Sequence, residues 1–76
     1  MNLREYVLEA NFKIYIEQNK IDIVNYDAIE SVTNNKISLK YNNKILNIIG
    51  NDLVIKKLLN DEILIEGKLK NIELGD

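Results

Sequence analysis

Apolar side chains occupy alternate positions through much of the second half of the chain. Lys36-Ile37-Ser38-Leu39-Lys40-Tyr41 alternates without a break, which puts Ile37, Leu39 and Tyr41 on one face of a strand and polar groups on the other. Asparagine or aspartate pairs separate this run from its neighbours. Asn34-Asn35, Asn42-Asn43, Asn51-Asp52 and Asn60-Asp61 recur every eight or nine residues. Asn and Asp tolerate positive φ better than other residues with a Cβ and bond their own backbone, so such pairs suit tight hairpin turns. The spacing predicts an antiparallel β-meander with strands over 36–41, 44–49, 53–58 and 62–69. Gly50 belongs to the turn at Gly50-Asn51-Asp52, where a positive φ would be costly for Ile or Leu.

Upstream, Phe12-Lys13-Ile14-Tyr15-Ile16-Glu17 and Ile21-Asp22-Ile23 read as a hairpin through Gln18-Asn19-Lys20. Residues 27–33 are ambiguous: Ala28, Ile29 and Val32 also suit a helical turn, although Val32-Thr33 favours extension. Leu3, Tyr6, Val7 and Ala10 follow the helical i, i+3, i+4, i+7 template between Asn2 and Asn11 as caps, so periodicity alone gives a short helix there.

Parity carries two further expectations. Ile63, Ile65 and Leu69 are odd-numbered while Ile72 and Leu74 are even, so a β-bulge near Lys70-Asn71 is needed if all are to point inward. Gly67 shares the inward parity, and its missing side chain suggests a close approach by another strand. Ile45, Ile49, Val54 and Leu64 lie opposite in parity to Leu46, Ile48, Leu53, Ile55, Ile63 and Ile65, so these strands are apolar on both faces. Either the meander, of about seven or eight short strands, closes into a roll or sandwich, or the second face meets another chain. Ile45, Ile49, Val54 and Leu64 are therefore the candidate interface.

Composition narrows the class. At 76 residues the chain makes one all-β domain, and with no cysteine to staple it, association with a partner or with itself is a reasonable supplement. No segment approaches the roughly 20 apolar residues of a membrane span, and the N-terminus lacks the order of a signal peptide. A cytoplasmic protein is the expectation. Net charge is -2 with no basic tail, and Lys56-Lys57 is the longest basic run; it reads as a solvated strand edge rather than a phosphate-binding track.

Candidate chemistry is sparse. There is no His and no Cys, so the usual general base and the most reactive nucleophile are missing. Glu62 and Glu66 share a parity, as do Asp22 and Glu30, but strand alternation already accounts for them. Asp52, Asp61 and Glu62 lack the spacing of a calcium loop. The expectation is no enzyme, no cofactor and no metal. A small nucleic-acid-binding barrel is the runner-up, needing exposed aromatics and positive charge; Phe12 and Tyr41 align with core positions, which leaves Tyr15 as the best exposed candidate.

Ile14-Tyr15-Ile16-Glu17, then Asn42-Asn43-Lys44-Ile45-Leu46-Asn47-Ile48-Ile49-Gly50-Asn51-Asp52-Leu53-Val54-Ile55, and above all Asp61-Glu62-Ile63-Leu64-Ile65-Glu66-Gly67-Lys68-Leu69-Lys70-Asn71-Ile72 resemble the YabP/YqfC family of sporulation proteins, closer to its YqfC branch. The chain departs from that pattern at Ala10-Asn11, where a Gly-Asn turn is common, and at Gln18-Asn19, where an Asn-His pair is common. The resemblance favours a strand over a helix for residues 6–9. It implies a non-catalytic β-protein of endospore formation in the mother cell, with a membrane protein as partner.

Overall fold

The computed structural model describes residues 4–9 and 12–75. They form seven strands: β1 (Arg4–Glu9), β2 (Phe12–Glu17), β3 (Lys20–Val24), β4 (Ala28–Val32), β5 (Lys36–Tyr41), β6 (Lys44–Leu58) and β7 (Glu62–Gly75). All pairings are antiparallel, in one open sheet of order β1-β2-β3-β7-β6-β5-β4. Two meanders, β1 to β3 and β4 to β7, are joined where β3 pairs with the start of β7. The helix suggested by periodicity is absent over residues 4–9, because pairing with β2 satisfies that backbone as a strand. Leu3, Ala10 and the proposed caps Asn2 and Asn11 lie outside the described residues.

β6 is one strand of 15 residues, not two strands separated by a turn. Drawn straight it would span about 50 Å, yet the molecule measures 27 × 26 × 22 Å. The long β6–β7 hairpin must therefore bend, and the register shows where. Asn51 pairs with Lys68 and Val54 with Glu66, so β6 carries an extra residue around Asp52, whose φ is 55°. What reads in the sequence as a chain reversal is a bulge that folds the sheet over. A second bulge lies on β7: Ile49 pairs with Asn71 and Gly50 with Leu69, leaving Lys70 unopposed. This is the bulge that parity requires. It turns Ile72 toward the core, whereas Leu74, at the strand's end, stays 52% exposed.

Loops hold the bend in place. The N–H groups of Gly50 and Leu53 donate to the carbonyls of Asn35 and Asn34, at 3.0 and 2.9 Å, and Gly67 N–H donates to the Asn19 carbonyl at 3.0 Å. At Gly67, φ is +147°, and an added Cβ would sit 2.7 Å from the Asp52 carbonyl oxygen and 3.0 Å from the Leu53 Cα. The close approach expected at Gly67 is thus the β6 bulge itself. Gly50 has no positive φ, contrary to its reading as a turn residue; it is required because a Cβ there would collide with the Lys68 carbonyl.

Turn chemistry differs from pair to pair. Asn42 and Asn43 both have positive φ, 46° and 62°, between paired Tyr41 and Lys44, as a two-residue hairpin of primed type demands. Gln18-Asn19 is a two-residue turn, with Lys20 already paired to Glu17 and Asn19 at φ 89°. At Asn34-Asn35 the φ angles are not positive, and the Thr33 hydroxyl closes the turn by accepting from the N–H groups of Asn35 and Lys36. Asn60-Asp61 closes the β6–β7 hairpin, where Leu59 N–H donates to the Glu62 carbonyl.

Folding the sheet over buries one face of both halves. Ile21, Ile23, Ile63 and Ile65 from one half meet Ile37, Leu39, Leu46 and Ile48 from the other in a single core. Phe12 and Tyr41, on strands that are not sheet neighbours, stack at 4.0 Å between centroids and 9° between planes. Both aromatics are core, as their parity indicates. The spacing that made residues 27–33 look helical has a local cause: Ile29 pairs with Leu39 and Ser31 with Ser38, so Glu30 is a bulge and Ile29 and Val32 face the same side three residues apart.

Candidate assembly surface

Each half of the bent sheet keeps an outer face, and the bend divides the candidate interface between them. Ile45 and Ile49 lie on the half containing β5, where Ile45 is flanked by Lys40 and Gly75 and Ile49 by Lys36 and Asn71. Between them Ser38 Oγ donates to Asn47 Oδ1 at 2.6 Å. Val54 and Leu64 lie on the half containing β3, with Val54 opposite Glu66 and Leu64 between Asp22 and Lys57. Val54 is 51% exposed; the other three are half-buried. The structure brings Val54 and Leu64 onto one face and Ile45 and Ile49 onto another, because the bulge at Asp52 falls between the pairs.

The β3-side face is the more chemically distinctive. One row crosses four strands as Tyr15, Asp22, Leu64 and Lys57. Tyr15, Glu17, Lys20, Asp22 and Leu64 line a shallow hollow of about 420 Å³. Asp22 Oδ1 is buried there without a hydrogen-bond partner. Burial, a hydrogen bond shared with Glu62 and the charge of that neighbour push the Asp22 carboxyl up to about 6, against the opposing pull of Lys57. The unpartnered Asp22 oxygen and the cost of ionising this carboxyl make the hollow a place where a basic or hydrogen-bond-donating partner group would be welcomed. Tyr15 shares the hollow with the carboxylates of Glu17 and Asp22 and the ammonium of Lys20.

A second feature mixes apolar side chains with polar groups. Tyr26, Ile29, Leu58, Leu59 and Asn60 line a groove at the mouth between β4 and the β6–β7 hairpin tip. Tyr26 forms its floor, donating its hydroxyl to the Leu59 carbonyl at 3.0 Å; burial and the nearby Asp61 raise its phenol. Leu58 and Leu59 are 54% and 47% exposed. Sequence reading missed both the Asp22–Glu62 pair and this groove. The signal for the first was an acid inside the Ile21-x-Ile23 alternation, but only the β3–β7 register shows which carboxylate it meets.

Among the described residues, no group of three or more His, Cys, Asp or Glu side chains could hold a metal ion, and no helix is long and apolar enough to cross a membrane. The model of the YabP family matches residues 9–76, nearly the whole chain and every strand of the bent sheet except most of β1. The chain belongs to the YabP family. This family membership makes it a sporulation-associated protein. Among curated proteins and among solved structures, nothing matches the chain significantly. For this YabP-family protein, the paired outer faces, the hollow at Asp22 and the groove at Leu58 are the surfaces through which a role in sporulation can be sought.

Proposed function

We propose that the protein is a non-catalytic assembly module of endospore formation, acting in the mother-cell cytoplasm by binding a membrane protein of the developing spore envelope. The observation that carries this reading is the outer face of the β3 half. Leu64 and Val54 present apolar surface there beside a carboxyl pair with an unpaired oxygen. Such a mixture suits a protein contact with an apolar centre and a polar rim, and family membership supplies the sporulation setting.

Leu64→Lys tests the reading. Replacing the chromosomal gene with this variant should lower the yield of heat-resistant spores and release the protein from the membrane fraction. The purified variant should keep the β-sheet circular dichroism and melting profile of the wild type, because Leu64 is outside the core cluster. Normal sporulation with the variant, or a wild-type protein that never co-fractionates with membranes, would refute the proposal.

A further inference from the structure

Two strand edges face the opening between β4 and the second half of β6, and no strand of the described chain occupies either one. β4 is paired with β5 alone, and residues 54–58 of β6 are paired with β7 alone. The edges run in opposite directions at matching levels. At one end the Leu53 N–H reaches the Asn34 carbonyl, and at the other the Tyr26 hydroxyl reaches the Leu59 carbonyl. Ile29 of β4 and Leu58 of β6 line the same groove. Even so, no Cα of β4 comes within 8 Å of a Cα of β6, whereas paired strands lie about 4.8 Å apart.

The two edges are complementary in sequence. Each carries one bulge, Glu30 in β4 and Lys56 in β6, so each directs its core-side residues three apart, Ile29 and Val32 on one, Ile55 and Leu58 on the other. Aligned antiparallel, Ile29 falls opposite Leu58, Val32 opposite Ile55, Ser31 opposite Lys56 and Glu30 opposite Lys57. Val32 and Leu58 are 49% and 54% exposed. Bulges and lysines deter a regular strand from adding to an edge. A strand with its own bulge at the same level, and an acid opposite the lysine, escapes that penalty. This chain carries such a strand.

We propose that the protein forms a two-fold symmetric dimer in which β4 of each copy pairs antiparallel with residues 54–58 of the other. A two-fold axis parallel to the strands and just outside the opening exchanges the two edges while preserving their directions. Both pairings then form at once, and the interface is self-complementary. The dimer leaves the outer face bearing Leu64 free and goes beyond the assembly reading, on which it does not depend.

Sedimentation equilibrium tests it. The wild type should show a concentration-dependent monomer–dimer equilibrium. Glu30→Lys and Lys57→Glu each place like charges at both contacts and should weaken the dimer by about tenfold. Mixed in equal amounts, the two variants should form a heterodimer of near wild-type affinity, since both contacts then join opposite charges. Both positions are exposed, so each variant should keep its circular dichroism; Leu58→Asp provides a second disruption that no charge exchange should rescue. A wild type that stays monomeric, single variants that dimerise undiminished, or a mixture that gains nothing over its components would each overturn the dimer.

Discussion

Gly67 and Asp22 are the two residues at which a single side chain decides most. At Gly67 a Cβ would meet the Asp52 carbonyl and the Leu53 Cα in a backbone conformation that other residues rarely adopt, whereas nothing lies within 4 Å of a Cβ at Gly75. Gly67→Val should cost roughly 2–4 kcal/mol and Gly75→Val under about 0.5 kcal/mol, and equal urea midpoints for the two would contradict this. Asp22 has a folded-state pKa of about 6, above the ordinary 3.8. Its ionised form is therefore disfavoured by the fold, a cost that is present above pH 6 and relieved as the pH falls toward 4. Because the group is partly open to solvent, the effect should be only about 1 kcal/mol. Asp22→Asn should stabilise the protein at pH 7 by about that amount and flatten the stability profile between pH 7 and pH 5, as measured by urea denaturation at each pH.

The strands show which local signals survive folding. Asn42-Asn43 was legible because both residues use positive φ in a two-residue hairpin; Asn43→Ala should accordingly cost about 1–2 kcal/mol. Asn34→Ala should stay within about 0.5 kcal/mol, since its turn is closed by the Thr33 hydroxyl and offers the Asn34 carbonyl, which alanine keeps. Equal losses in thermal melts of the two variants would show that the turns are alike after all. Asn51-Asp52 misled because the same residue types serve a bulge as well as a reversal, and only the β6–β7 register tells them apart. Strand positions and the core at Ile37, Leu39, Ile63 and Ile65 were readable from alternation, and so was the bulge at Lys70. The division of Ile45 and Ile49 from Val54 and Leu64 was not, because parity records a face but not a bend within it. Glu30 and Lys56 escaped for the related reason that a single extra residue imitates helical spacing.

At the scale of the whole molecule, one sheet folded across the middle of its longest hairpin makes a single core from both ends of the chain. The backbone at the fold line finds its partners in loops that belong to other hairpins: the carbonyls of Asn35, Asn34 and Asn19 accept from the N–H groups of Gly50, Leu53 and Gly67 respectively. This has a kinetic consequence. The β6–β7 hairpin, cut free as a peptide, lacks all three acceptors and has no reason to hold its bend, so it should neither keep the native shape nor offer a template for the rest. Hairpins β2–β3 and β4–β5 must dock before the crease is complete, which makes the rate-limiting step a meeting of segments distant in sequence and predicts slow, all-or-none folding rather than growth from one preformed hairpin.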